Sequence, residues 1–182
     1  MVWPFLYYPG DRLTASELSA ARLDGDVVEV GEAFMPADAV ETRELRAASL
    51  RSLLGDTLAA THESAAWVHG ALPQPPLRHR GQRCGGRHTP YALDPRLSYR
   101  DVPVPPEDAE LIGRVLVTSP VRTFTDLVRD LVDGRGDAEP AIAAMAAWDP
   151  HLAARGLATL RSGPPVHHKR RAVDYLTALT TR

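Results

Sequence analysis

The clearest pattern of apolar and polar positions in this chain is a short β-branched run that leads straight into an amphipathic segment. Residues 115–117 are typical of a buried strand, which we expect to end at Thr118. Ser119 suits a helix N-cap, and Pro120 suits the first helical position, where its missing N–H costs nothing. Apolar residues then recur at helical spacing until Gly134, so the sequence predicts a strand that turns directly into a helix.

The N-terminal pattern predicts a helix followed by a hairpin. Thr14 and Glu17 have the spacing of a capping box, which places a helix start near Thr14 and its end at Gly25. Two short apolar runs then flank Gly31 and Glu32, a pair suited to a tight hairpin turn. A helix followed by a β-hairpin is the second half of a winged helix, so we predict a truncated, winged-helix-like part over residues 1–40.

Two further helices are predicted in the middle of the chain. Apolar residues between positions 42 and 54 recur at helical spacing and Gly55 follows them, which marks a linker helix within residues 41–56. Residues 61–70 form a second short helical pattern, which the prolines soon after it prevent from continuing.

The second part of the chain mixes strand and helix patterns. Residues 78–100 contain β-type runs, one of them around Tyr91, for which we expect antiparallel strands. Beyond the central strand and helix, three more helical patterns begin near positions 140, 150 and 169. The predicted class is therefore α+β, with a small mixed sheet packed by helices and a helical C-terminal tail over residues 57–182.

Composition and charge narrow the class of protein. Apolar residues make up 44% of the 182 residues, and no apolar run approaches the roughly 20 residues that a membrane span needs. The single cysteine, Cys84, excludes a disulfide within the chain and fits a reducing cytoplasm. Five arginines accompany eleven acidic residues up to Glu63, whereas sixteen basic residues accompany twelve acidic ones from Ser64 onward. We therefore expect a cytoplasmic protein with its cationic surface in the second part of the chain.

The basic residues form two groups that suit phosphate or an acidic partner. Alternation along strands can gather several arginines on one sheet face, and the candidates are Arg78, Arg80, Arg83, Arg87, Arg96 and Arg100. A second group lies at a predicted helix start, where positive charge opposes the helix dipole and so favours an external partner; it consists of His167, His168, Lys169, Arg170 and Arg171. A solvated surface would show the same residues, and this alternative stays open.

Motifs of common enzymes and metal sites are interrupted in this sequence. His62-Glu63 begins like a zinc-protease motif, but alanine occupies the position of its second histidine. His79, Cys84 and His88 could supply three metal ligands, yet a fourth is not evident nearby. A P-loop is excluded because the only lysine follows a histidine. We therefore predict no catalytic residue, metal or cofactor.

An acid–base pair formed by residues distant in the sequence is a further possibility, and it would make the chain an enzyme. It would require that His62, His69, Arg122 and Asp126 converge in an open pocket. If these side chains are instead buried and hydrogen-bonded to one another, they belong to the framework of the fold.

Three runs of the chain follow a known order of segments. They are Val27 to Pro36 after the first helix, Thr61-His62-Glu63-Ser64-Ala65-Ala66-Trp67-Val68-His69-Gly70, and Val117-Thr118-Ser119-Pro120-Val121-Arg122-Thr123-Phe124-Thr125-Asp126-Leu127. The last two fit the patterns His-x-Ser-Ala-Ala-x-x-His-Gly and Val-Thr-Ser-Pro-x-Arg-Thr-x-x-Asp-Leu. Over roughly residues 12–133 the chain thus resembles the AbiEi-type antitoxins of type IV toxin–antitoxin systems.

The resemblance implies a non-enzymatic transcriptional regulator that binds the operator DNA of its own operon and counteracts a nucleotidyltransferase-like toxin. It makes the first helix the recognition helix, through Thr14, Ser16, Ser19 and Arg22, and the hairpin the wing. We add the basic groups to the predicted DNA-binding residues, namely Arg78, Arg80, Arg83, Arg87, Lys169, Arg170 and Arg171. The alternative is a protein-binding module without DNA affinity, in which the acidic N-terminal segment docks onto a basic protein.

Overall fold

The computed structural model describes residues 5–85, 94–164 and 167–181, and it confirms the α+β class. The helices are α1 (Ala15–Asp24), α2 (Arg43–Ser49), α3 (Arg51–Leu54), α4 (His62–His69), α5 (Pro120–Val132), α6 (Glu139–Trp148), α7 (Leu152–Ser162) and α8 (Lys169–Thr180). The strands are β1 (Val27–Val30), β2 (Ala33–Pro36), β3 (Leu58–Ala60), β4 (His79–Cys84), β5 (Leu97–Val104), β6 (Ala109–Ile112) and β7 (Val115–Thr118). Across these residues no helix has the length and apolarity needed to cross a membrane.

The local signals at α1 and α5 act as the sequence predicts. Thr14 accepts a hydrogen bond from the backbone N–H of Glu17, whose carboxylate accepts from the Thr14 N–H in return, and Gly25 ends α1 with a φ of 84°. Ser119 accepts from the backbone N–H of Arg122 at the start of α5, directly after β7.

The main sheet has five strands in the order β5-β4-β3-β7-β6. β3 and β7 run parallel, as do β4 and β5, whereas β3–β4 and β6–β7 are antiparallel. The predicted antiparallel strands between residues 78 and 100 are therefore wrong for β4 and β5. The twelve positions between these strands are long enough for the crossover that parallel pairing needs. The run around Tyr91 lies outside the described residues.

Two apolar cores lie on either side of α4. The first combines the β1–β2 hairpin, α2, α3 and the sheet around the fully buried Trp67. Leu45, Leu50 and Leu54 belong to it, so the helices within the predicted linker are buried elements of this core. The second core gathers α5 to α8 around Phe124 and Met145.

Candidate functional site

Helix α1 is displayed at the surface next to the β1–β2 hairpin. Leu18 is its one buried residue, whereas Ser16, Ser19 and Arg22 are exposed. Their spacing of three places these exposed residues on one face of the helix. Thr14 serves mainly as the N-cap, because its hydroxyl accepts the N–H of Glu17 at 3.2 Å.

Arg22, the basic residue of α1, already forms an ion pair with a residue of the β1–β2 hairpin. Arg22 Nη1 lies 3.1 Å from Glu29 Oε1 of β1, and each side chain is 55% exposed. An exposed pair of this kind contributes only about 0–1 kcal/mol, so a phosphate can replace the glutamate at little cost. Arg22 therefore remains a usable contact for an anionic partner.

The predicted arginines of the second part do not form one exposed face. Arg78 is exposed and donates to the Leu97 carbonyl, and Arg83 pairs with Asp101 at 2.7 Å. Arg80 pairs with Asp130 at 2.7 Å and with Glu63 at 3.0 Å. Arg96 pairs with Asp94 and Glu32, and Arg87 lies outside the described residues.

The basic group at the start of α8 also contains both internally bonded and exposed side chains. Lys169 Nζ donates to the Gly163 carbonyl at 2.6 Å and so satisfies the end of α7. Arg170 and Arg171 are exposed, and neither forms an ion pair with a residue of the described ranges. These two arginines are the exposed cations of the group.

A polar cleft of about 360 Å³ lies beside α5. His62 is the first residue of α4, two positions after the end of β3, and Arg122 lies in the first turn of α5, which follows β7. Because β3 and β7 run parallel, both residues lie at the same end of the sheet, where α/β proteins commonly bind ligands. Residues of β4, β5 and the start of α8 complete the walls.

Three basic side chains surround the Asp130 carboxylate in this cleft. Arg80 and Arg100 each donate to one of its oxygens, at 2.7 and 2.9 Å, and His62 Nε2 lies 3.4 Å away. Burial opposes ionisation of Asp130, but hydrogen bonds from the two arginines outweigh it and hold the pKa of this carboxyl below its usual value. Burial lowers the pKa of His62, whose φ of 52° lies in the left-handed region.

Asp126 forms a second ion-pair network one turn earlier. Arg122 donates to it at 2.7 Å and to Asp108 at 2.6 Å, and Arg129 donates to its other oxygen at 3.1 Å. Asp126 is only 4% exposed. Arginines thus neutralise both buried carboxylates, which suits the binding of a polar ligand better than proton transfer by a carboxylate.

Three of the four residues required for the enzyme alternative meet in the cleft. His62, Arg122 and Asp126 line it, with Arg122 and Asp126 hydrogen-bonded to each other. His69 lies elsewhere, with Nε2 2.8 Å from the Thr118 carbonyl oxygen and its ring beside Trp148. The four side chains thus neither all meet in one pocket nor bond to one another as a set.

Sequence reasoning missed Asp130, Gln82 and Asp133, which also line the cleft. A signal for Asp130 was available, because Arg122, Asp126 and Asp130 repeat every four residues along one helix face. Gln82 follows Arg80 by two positions on β4 and so shares its sheet face. Asp133 has no such local signal.

Asp133, His167 and His168 offer atoms within 4.8 Å of one another, a grouping that could hold a metal ion. The charges around it oppose a cation. Arg135 forms an ion pair with Asp133, and His168 is the N-cap of α8, where the helix dipole is positive. His79, the first of the three metal ligands considered from sequence, is buried and hydrogen-bonded to Ser64 at 3.1 Å.

An apolar groove of about 450 Å³ lies next to the hairpin. Phe5 and Val40 line it with exposed fractions of 54% and 80%, together with Pro36 and Leu45. Large apolar side chains exposed together are typical of a surface that another protein covers.

Comparison with protein-family models and with curated proteins gives no match for this chain.

Proposed function

We propose that this chain is a non-enzymatic, antitoxin-like transcriptional regulator that acts in the cytoplasm, binds operator DNA and counteracts a nucleotidyltransferase-like toxin. The observation that carries the proposal is the display of α1, which buries one residue and is followed directly by the β1–β2 hairpin. A recognition helix must be free in this way to enter the major groove, and a hairpin beside it can contact the DNA as a wing.

In this proposal Ser16, Ser19 and Arg22 face the base edges and the nearby phosphates. Arg78, Arg170 and Arg171 supply further phosphate contacts, because they are exposed. Arg80, Arg83 and Lys169 act within the fold, since their charged groups are hydrogen-bonded to other parts of the chain. Two acidic residues of α1 and the β1–β2 hairpin also have partners within the chain. Glu17 belongs to the capping box, and Glu29 pairs with Arg22.

Fluorescence anisotropy with the DNA upstream of the protein's own gene, against a scrambled duplex, tests the proposal between about 50 and 200 mM salt. We expect the native duplex to bind more tightly, and Arg22→Ala to weaken its binding about tenfold. Arg155→Ala is the matched control, because Arg155 also forms an exposed ion pair from a helix, with Asp149. Absence of binding at 50 mM salt would refute the proposal.

The apolar groove favours a second candidate, a module that binds a basic protein through the N-terminal segment. Phe5 and Val40 would supply the apolar contacts, and Glu17, Asp24 and Asp26 the negative charge. A partner encoded in the same operon can be tested directly by calorimetry. We expect Val40→Asp to abolish that complex while Arg22→Ala leaves it intact, the reverse of the pattern for DNA.

A further inference from the structure

A groove of about 850 Å³ lies between α5 and α7, and the end of β5 with the turn after it forms its third side. Its walls are mostly apolar. Val102, Pro103 and Pro105 come from β5 and the turn, and Val121 and Leu160 come from the two helices. Ligand sites in proteins have volumes of about 300–1,000 Å³ and walls of this composition. The α5–α7 groove therefore has the size and the surface of a site for a small molecule with an apolar body.

Two arginines of α5 border both the α5–α7 groove and the polar cleft, so they lie where the two cavities adjoin. Arg122 donates from Nε to Asp126 and from Nη1 to Asp108. Arg129 donates from Nη1 to the other oxygen of Asp126. Within the described residues the Nη2 atom of neither arginine has a hydrogen-bond partner, and neither atom is closed off from solvent. The carboxylates thus hold both guanidinium groups side by side and leave one accessible donor on each.

Asp108 adds an acceptor beside these donors, because it also lines the α5–α7 groove. Its Oδ2 accepts from Arg122, whereas its Oδ1 accepts no hydrogen bond from a residue of the described ranges and is not buried. Donors next to an acceptor match an amide group, whose carbonyl oxygen accepts and whose N–H donates. The polar part of the groove is therefore complementary to an amide.

The charges that line the α5–α7 groove cancel. Three arginines and three acidic residues border it, namely Arg122, Arg129, Arg155, Glu107, Asp108 and Asp126. Two of the arginines form one ion-pair network with the two aspartates. A charged ligand would lose its hydration on entry, and a lining of zero net charge does not offset that cost. The groove therefore favours a ligand that is polar at one end but carries no net charge.

We propose that the α5–α7 groove binds an uncharged, apolar small molecule with an amide group. The carbonyl oxygen of the ligand accepts from the free Nη2 donors of Arg122 and Arg129, and its N–H group donates to Asp108 Oδ1. The apolar body lies between the two helices, against Val102 and Leu160. The lining of the groove includes no residue of α1 or of the β1–β2 hairpin, so this site is distinct from the surface assigned to DNA.

NMR titration of the isotope-labelled full chain with octanamide, octanoate and octylammonium tests the inference at neutral pH. The three probes share one apolar chain and differ in the charge of the head group. We expect octanamide to shift the backbone amides of residues 119–129 and 155–164, with saturation by about 10 mM. Each charged probe should bind at least about fivefold more weakly. Absence of saturable shifts in these two ranges, or binding of a charged probe as tight as that of octanamide, overturns the inference.

Two variants tie the binding to the groove. Ala158→Phe fills it from an exposed position of α7 and should weaken octanamide binding at least about tenfold, while Ala143→Phe, exposed on α6 outside the groove, leaves the affinity unchanged.

Arg129→Met removes one free donor while Arg122 still holds Asp126, and we expect at least about fivefold weaker binding of octanamide. Arg161→Met, on α7 outside the groove, is its control. Thermal unfolding confirms that each variant is folded, and Ala158→Phe decides alone if Arg129→Met is not. Unchanged affinity in Ala158→Phe refutes the site, and unchanged affinity in a folded Arg129→Met refutes the assigned donor. None of these outcomes depends on whether the chain binds DNA.

Discussion

Arg80 of β4 and Asp130 of α5 lie 50 positions apart in the sequence, yet their Nη1 and Oδ2 atoms are 2.7 Å apart. Arg100 of β5 donates to the other oxygen of the same carboxylate at 2.9 Å. One buried carboxylate thus connects two neighbouring strands to α5. The walls of the cleft depend on this connection.

Asp130→Asn should destabilise the protein by about 2–3 kcal/mol, because it leaves two partly buried guanidinium groups without their counter-charge. Urea unfolding followed by circular dichroism measures the change in the free energy of unfolding. Asp56→Asn is the control, since Asp56 is 80% exposed and its pair with Arg51 should contribute less than about 1 kcal/mol. Equal losses in the two variants would show that the Asp130 connection is not structural.

The stability of the protein should fall as the pH is lowered from about 6.5 towards 4. Burial lowers the pKa of His79 to about 4, and it lowers the pKa of His62 and His69 as well. The unfolded chain therefore binds more protons than the native state in this range, at about 1.4 kcal/mol per pH unit for each histidine. The stabilisation is complete above the unfolded pKa and is lost as the pH falls.

His79→Gln provides the test of that pH dependence. The variant lacks one of the three buried histidines, so the slope of the free energy of unfolding between pH 6.5 and 5 should decrease relative to the native chain. His151→Gln, at an exposed position, should leave the slope unchanged. A slope that is the same in all three proteins would contradict the prediction.

Gly113→Ala should be far more damaging than Gly25→Ala, although both glycines have a positive φ, of 52° and 84°. A Cβ at Gly113 would lie 2.3 Å from the Glu44 carbonyl oxygen of α2, whereas a Cβ at Gly25 meets nothing within 4 Å. We expect a loss of about 1 kcal/mol at Gly25 from backbone strain alone, and more than about 3 kcal/mol at Gly113. Thermal unfolding of both variants gives the comparison, and similar losses would exclude a close approach of the β6–β7 turn to α2.

The sequence alone predicts the start of a helix where the residues that specify it lie within one turn. Ser119 and Pro120 specify the start of α5, and Thr14 with Glu17 specifies that of α1, because caps act within one turn. The parallel pairing of β4 and β5 was not predictable, since strand direction depends on a crossover that local patterns do not encode.

The cleft was predictable only in part, for the same reason. Arg122 and Asp126 are four positions apart on one helix, so their contact follows from the sequence spacing. Arg80 was assigned to an exposed basic face, and nothing near it in the sequence indicates that its partner is Asp130. Asp133 and His168 come together only because α8 packs against α5.

Helix α4 lies between the two apolar cores, and its adjacent residues Ala66 and Trp67 belong to different ones. Because α4 contributes buried residues to both cores, the loss of either core removes packing contacts from this helix. The N-terminal hairpin and the C-terminal helices are therefore parts of one cooperative unit, and denaturant should unfold them in a single transition.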